Sequence, residues 1–154
     1  MALLRAREAT MRRFRPILAE HDLTEQQWRV LRALAAHSAD GDDGLEVSQL
    51  AESTFLLGPS LSRILTNIER RGLITRGIST ADRRRADIAI TDDGRALVAD
   101  IAPASEREYA AIESTIGTAR LAYLLDLLHE LEGSAPTSER DRLRPSLRPS
   151  LRSA

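Results

Sequence analysis

The residues best suited to chemistry in this sequence are arginines, and they are concentrated in one segment. Residues 60–85 hold seven Arg and two acidic residues, a net charge of +5, whereas residues 86–133 have a net charge of −7 and the whole chain −1. Arg carries a planar fork of N–H donors that fits phosphates and guanine edges. The segment therefore predicts either a polyanion site or an ordinary solvated Arg-rich surface.

The composition excludes several other kinds of site. The chain of 154 residues has no Cys, which rules out disulfides, thiolate catalysis and the usual structural zinc sites. Its three His (His21, His37 and His129) are dispersed, and it has no catalytic dyad or phosphate-binding glycine loop. We therefore expect no enzyme activity, metal or cofactor. It has no membrane span or secretory signal, so we expect one cytoplasmic domain with a short extension.

Two helices precede the basic segment. Residues 3–20 have helical hydrophobic spacing, in which Pro16 predicts a bend or an early end. Thr24 and Gln27 form a capping-box pattern that begins the second helix. A polar stretch at 38–44, rich in Asp and Gly, predicts the loop that follows.

The basic segment begins with the best-defined helix of the sequence, predicted at 59–71 after a short helix at 47–53. Pro59 occupies its first turn, and Gly72 is placed to end it. Its apolar residues recur on one face. The opposite face carries polar and basic side chains suited to base edges and phosphates: Ser60, Ser62, Arg63, Thr66, Asn67 and Arg70.

After Gly72 the hydrophobic period changes from helical to two. Residues 73–78 and 87–91 predict two strands, joined by a polar tip at 79–85 that contains Asp82, Arg83, Arg84 and Arg85. A short helix, a turn, a helix with a basic face and an Arg-tipped hairpin together predict a winged helix-turn-helix. Such a fold places the helix in the major groove and the hairpin tip in an adjacent groove.

The end of the sequence predicts two more helices and a tail. Thr91 caps a helix that continues past Pro103 with a kink, and Gly117 separates it from a last Leu-rich helix. The apolar stripes of the terminal helices exceed what one small subunit can cover, which favours a second copy as their partner. Residues 133–154 repeat Leu-Arg-Pro-Ser and predict a flexible basic tail.

The stretch from Asp82-Arg83-Arg84 to Ile88-Ala89-Ile90-Thr91-Asp92-Asp93-Gly94 resembles the wing and exit helix of MarR-type regulators, and the resemblance covers roughly residues 3–132. It implies a mainly α fold with a small β-hairpin wing. By this resemblance, residues 1–23 and 92–132 form a helical dimerisation region around a winged helix-turn-helix at 24–91. It also implies that Asp82 pairs with Arg84 to hold the wing while Arg83 or Arg85 reaches DNA.

The resemblance further implies a homodimer that binds a pseudo-palindromic operator of double-stranded DNA and regulates transcription, most simply as a repressor. Similar regulators respond to phenolic or other aromatic carboxylates. The candidate effector residues are Arg15 for the carboxylate, Trp28 for the ring, and His21 or Arg32 for a hydroxyl. Each has an ordinary structural alternative, such as a core position for Trp28. The alternative function is a winged-helix protein-interaction module without effector control.

Overall fold

The computed structural model describes residues 1–39, 44–78 and 86–134. It is mainly helical, with a small antiparallel sheet, as the sequence predicts. In chain order the elements are α1 (Ala2–Glu20), α2 (Glu25–Ala39), β1 (Leu45–Glu46), α3 (Val47–Thr54), α4 (Gly58–Arg70), β2 (Ile74–Ile78), β3 (Ala86–Ile90), α5 (Asp92–Ile116) and α6 (Thr118–Gly133).

The first two helices follow the predicted pattern with two differences. Helix α1 continues through Pro16 to Glu20, so the proline does not end it. The capping box at the start of α2 is present: Thr24 N donates to Gln27 Oε1 (2.8 Å), and Gln27 N donates to Thr24 Oγ1 (3.2 Å). Helix α2 extends through Ala39, beyond the predicted start of the loop at residue 38, because no Gly or Pro interrupts it there.

Helices α3 and α4 form the helix-turn-helix. Phe55 ends α3 in the left-handed conformation (φ 52°), and Pro59 lies in the first turn of α4. Gly72 follows α4 with φ 74°, a conformation that glycine adopts without a steric penalty. The apolar face of α4 is buried through Leu61, Leu65 and Ile68. The opposite face is therefore the one that α4 presents to solvent.

The sheet contains one strand that the periodicity did not reveal. Strands β2 and β3 pair antiparallel, with Ile74 opposite Ile90 and Arg76 opposite Ile88. Strand β1 pairs with the other edge of β3, with Leu45 opposite Ile88, giving the order β1-β3-β2. Two residues are too few for an alternation to be recognised, which is why the sequence predicted only the hairpin.

Helix α5 approaches the sheet closely at its first turn. Thr91 Oγ1 accepts a hydrogen bond from Gly94 N (3.0 Å) and donates one to Gly72 O (2.7 Å), so the predicted cap also ties α5 to the end of α4. The helix continues through Pro103 to Ile116. Gly117 (φ 90°) then separates it from α6.

The chain forms two compact units, Met1–Ala111 and Ile112–Ala154. The core lies in the first unit, where apolar side chains of α1 to α5 and the sheet pack together. In the second unit, helix α6 buries none of its residues, and Tyr123, Leu124, Leu125, Leu127 and Leu131 are exposed. Of the predicted tail, residues 135–154 lie outside the described part of the chain. The predicted division into dimerisation and DNA-binding segments stays a prediction.

Candidate DNA interface and effector pocket

The exposed face of α4 forms a shallow groove of about 330 Å³. Ser60 lies outside the lining, on the exposed side of the first turn. The lining consists of the other predicted DNA-binding residues of this helix: Ser62, Arg63, Thr66, Asn67 and Arg70. Side chains four residues apart lie above one another on a helix, so this spacing forms one continuous surface. The groove offers hydroxyls, an amide and two guanidinium groups on a helix that can enter the major groove.

Arg76 of β2 compensates the acidic residue of α4. Its Nε lies 2.9 Å from Oε2 of Glu69, and its Nη2 donates to Thr66 Oγ1 (3.1 Å). Arg76 was not among the functional residues predicted from the sequence. A signal was available: the period of two places Arg76 on the same face of β2 as the buried Ile74. Glu69 is thus neutralised, and one hydrogen bond links the sheet to Thr66.

Asn67 is attached to the interior as well as exposed to the groove. The buried Gln27 donates from Nε2 to Asn67 Oδ1 (2.7 Å). The amide oxygen of Asn67 therefore faces α2, and the opposite end of the amide, its NH₂ group, is the end suited to donate to an acceptor in DNA. Of the other arginines in the basic segment, Arg71 donates to the carbonyls of Asp22 (2.8 Å) and His21 (3.0 Å). Arg71 thus joins α4 to the turn after α1.

The predicted wing tip, residues 79–85, falls in a gap between the described segments. Asp82, Arg83, Arg84 and Arg85 lie outside the described residues. The strands on either side of the tip, β2 and β3, form the antiparallel pair that a wing requires. The ion pair of Asp82 with Arg84 and the contact of Arg83 or Arg85 with DNA stay predictions.

A second cavity, also of about 330 Å³, lies between α1, α2 and the middle of α5. Its charged lining consists of Arg7, Arg29, Arg32 and Glu25, a net charge of +2. Arg7 pairs with Glu25, and Arg29 Nη2 lies 3.1 Å from Glu25 Oε1. Two of the three cations are thus satisfied by one carboxylate, and the cavity keeps an excess of positive charge.

The same cavity has aromatic walls formed by Phe14, Trp28 and Tyr109. The rings of Phe14 and Tyr109 lie 4.8 Å apart, and the guanidinium carbon of Arg32 is 5.9 Å from the centre of the Trp28 ring. Arg32 Nη1 donates to the Tyr109 hydroxyl (3.1 Å). Aromatic surface beside an arginine that has no carboxylate partner among the described residues suits a small aromatic anion.

The structure brings only part of the predicted effector set together. Trp28 and Arg32 line the cavity, whereas Arg15 and His21 do not. Arg15 is held by a fork of two hydrogen bonds to Glu8 (2.6 and 2.7 Å), which lowers the pKa of the Glu8 carboxyl. His21 Nδ1 lies 3.7 Å from Asp100 Oδ2.

Four residues of the cavity lining were not among the site residues predicted from the sequence: Arg7, Glu25, Arg29 and Tyr109. The spacing of four between Glu25 and Arg29 gave a local signal, as did the same spacing between Trp28 and Arg32. Arg7 and Tyr109 lie on α1 and α5, so no local spacing relates them to the residues of α2. Tertiary packing brings them to the cavity.

The described segments show no group of three His, Asp or Glu side chains that could hold a metal ion. A search of the same segments for membrane-spanning helices found none with the required length and apolar character.

The helix-turn-helix, the basic groove on α4 and the antiparallel strand pair together define a winged-helix, DNA-binding transcriptional regulator. The MarR family profile matches residues 21–85. The chain belongs to the MarR family.

Relatives within this family extend the match to most of the chain. The homoprotocatechuate degradative operon repressor of Escherichia coli is 40% identical over 130 residues, which cover 84% of this chain and 84% of the repressor. The structure of NadR in complex with 4-hydroxyphenylacetate has a TM-score of 0.73 and 40% identity and covers 84% of this chain and 89% of NadR. CouR bound to a 23-mer DNA duplex has a TM-score of 0.74 and 29% identity and covers 85% of this chain and 89% of CouR. The Escherichia coli protein is an operon repressor, and CouR is a transcriptional repressor.

Proposed function

We propose that this chain acts as a homodimer that binds a pseudo-palindromic operator, represses transcription, and is released from DNA by a small aromatic carboxylate. The observation that carries the proposal is the groove on α4, in which five side chains able to bind bases or phosphates form one surface. This function requires no enzymatic step. Because the operator is DNA, we propose that the protein acts in the cytoplasm. The structure of CouR on a DNA duplex supports the assignment by similarity.

Each part of the DNA-binding surface has a distinct role in this proposal. Helix α4 lies in the major groove, where Ser62, Thr66 and Asn67 contact base edges and Arg63 contacts a guanine or a phosphate. Ser60 and Arg70 flank these contacts at the two ends of the helix and bind the DNA backbone. The wing contributes Arg83, Arg84 and Arg85 to an adjacent minor groove.

A second copy of the chain completes the DNA-binding unit as a homodimer. The exposed Leu3 and Leu4 of α1 and the exposed leucines of α6 leave apolar surface that a partner chain buries. Two identical subunits related by a twofold axis present two α4 helices to half-sites about one helical turn (roughly 10 bp) apart. This arrangement makes the operator pseudo-palindromic.

The effector site is the cavity between α1, α2 and α5. An aromatic carboxylate matches its composition, because the ring packs against Trp28, Phe14 and Tyr109 while Arg32 binds the carboxylate. The complex of NadR with 4-hydroxyphenylacetate supports this class of ligand by similarity. Arg15 and His21 are left out of the site, since Arg15 is already occupied by Glu8 and neither residue lines the cavity.

The experiment begins with selection of preferred sites from a random duplex pool, followed by fluorescence anisotropy of the selected duplex. We expect specific binding that weakens steeply with salt, and a further loss of affinity when 4-hydroxyphenylacetate is added. Salt-insensitive association with a protein, together with no duplex preference, would instead support the alternative of a winged-helix protein-interaction module without effector control.

A further inference from the structure

Arg29 occupies a position that belongs to both candidate sites. Its side chain lines the cavity, where Nη2 lies 3.1 Å from Glu25 Oε1. Its other terminal nitrogen, Nη1, donates to the main-chain oxygen of Thr54 (2.9 Å). One guanidinium group therefore bridges a carboxylate of the cavity and a carbonyl of the helix-turn-helix.

The carbonyl that Arg29 binds lies at a sensitive point of the backbone. Thr54 is the last residue of α3 and is fully buried. Carbonyl groups in the last turn of a helix have no donor within that helix, so they need one from outside. The next residue, Phe55, is in the left-handed conformation, and α4 begins at Gly58. Arg29 thus fixes the point from which the chain turns into the DNA-reading helix.

The other cations of the cavity make no such connection. Arg7 pairs with Glu25, and Arg32 donates to the hydroxyl of Tyr109. Among the bonds of the described residues, Arg29 provides the link from a cation of the cavity lining to the turn between α3 and α4.

We propose that Arg29 is a positioning residue that transmits occupancy of the effector pocket to the helix-turn-helix. A ligand carboxylate offers the guanidinium a charged acceptor, which binds N–H donors more strongly than the neutral carbonyl of Thr54 does. When Arg29 turns toward the ligand, the Thr54 carbonyl loses its donor and the turn that orients α4 loosens. The affinity for DNA then falls without any contact between ligand and DNA. This inference rests on the proposed function.

The test compares the full-length wild-type chain with Arg29→Gln and Arg29→Lys. The measured quantity is the ratio of the Kd for the selected duplex with saturating 4-hydroxyphenylacetate to the Kd without it. We expect a ratio in the range of about 5 to 150 for the wild type. Both variants should lower it to below roughly 2 while calorimetry still detects the ligand, because neither side chain has two terminal donor nitrogens, and Arg29 uses one for Glu25 and the other for Thr54.

Arg95→Gln is the matched control. Arg95 also bridges a carbonyl and a carboxylate, since Nη1 donates to Ile90 O (2.9 Å) and Nη2 to Asp92 Oδ1 (2.5 Å), but it lies outside the cavity lining. Its removal should leave the ratio at the wild-type value. Hydrogen exchange gives a second readout: the ligand should speed exchange of the amides around Phe55 in the wild type but not in Arg29→Gln.

The outcomes separate the inference from the function on which it rests. A wild-type ratio retained by Arg29→Gln would overturn the inference alone. So would failure of both Arg29 variants to bind the ligand, because the ligand would then be held mainly by Arg29, whereas the proposal has Arg32 hold the carboxylate and Arg29 transmit its presence to the Thr54 carbonyl. A wild-type chain that binds the duplex but ignores the ligand would refute the effector part of the proposed function, and the inference with it. A wild-type chain that binds no duplex would refute the DNA-binding function itself.

Discussion

Replacement of Gly94 by Ala tests the packing that holds the wing against α5. Gly94 is buried in the first turn of α5, where a Cβ atom would overlap the carbonyl oxygen of Leu73. The same Cβ would lie 2.7 Å from Ile90 Cγ1 and 3.1 Å from the carbonyl carbon of Leu73. The obstacle is backbone that is already fixed, because Leu73 O accepts from Thr91 N (3.1 Å).

The expected loss follows from two opposing terms. Overpacking of a well-packed site costs about 1–3 kcal/mol, and a contact with backbone is at the upper end because it cannot rotate away. Alanine recovers up to about 1 kcal/mol through its higher helix propensity. The net loss of unfolding free energy is therefore about 2 kcal/mol, which lowers Tm by roughly 4–8 °C for a chain of this size.

Thermal and urea unfolding followed by circular dichroism measure this loss. Gly133→Ala is the matched control, because Gly133 lies in the last turn of α6 and a Cβ there meets no atom within 4 Å beyond its own helix backbone and chain neighbours. That variant should equal or slightly exceed the wild type in stability, because alanine has the higher helix propensity. A Gly94→Ala chain with the Tm of Gly133→Ala would refute the close packing of α5 against Leu73 and Ile90.

Four further substitutions test the proposed surfaces. Arg84→Ala should weaken binding to all duplexes by a similar factor, whereas Thr66→Val should change the preferred sequence, and repeated site selection distinguishes the two. Arg32→Met should lower the affinity for 4-hydroxyphenylacetate at least about tenfold, because a charge-assisted bond contributes roughly 1.5–3 kcal/mol; calorimetry measures this, and unchanged affinity would contradict the assigned carboxylate position. Leu125→Glu on α6 should yield monomers in sedimentation experiments, because burial of an unpaired charge is costly; a stable dimer would place the interface elsewhere.

Local signals in the sequence predicted most of the fold. The capping box of Thr24 with Gln27, the glycine at position 72 and the Thr91 cap each act over a few residues, and each occurs as predicted. The features that differ from the prediction depend on context. Of the bend or early end predicted at Pro16, the early end does not occur, because α1 continues to Glu20, and β1 is defined only by its pairing with β3.

The candidate sites show the same contrast between local signals, which the sequence reveals, and tertiary packing, which it does not. Helical periodicity alone identified the groove residues of α4, because they share one face of one helix. The cavity is assembled from three helices, so α2 residues such as Trp28 were found while Arg7 and Tyr109 were not. The bonds of Arg29 to Thr54 and of Arg76 to Thr66 join residues that no motif relates, and only tertiary packing brings them together.

Duplexes with altered spacing between the half-sites test most directly whether a symmetric dimer recognises the DNA. The selected duplex is compared with one that carries about five extra base pairs at its centre, which rotates one half-site by roughly half a helical turn. Two rigidly paired α4 helices then engage one half-site only, so the Kd of the dimer should rise by about 100-fold or more, while an isolated half-site binds as weakly as the lengthened duplex. Equal affinity for the original and the lengthened duplex would contradict recognition of DNA by a symmetric pair of chains.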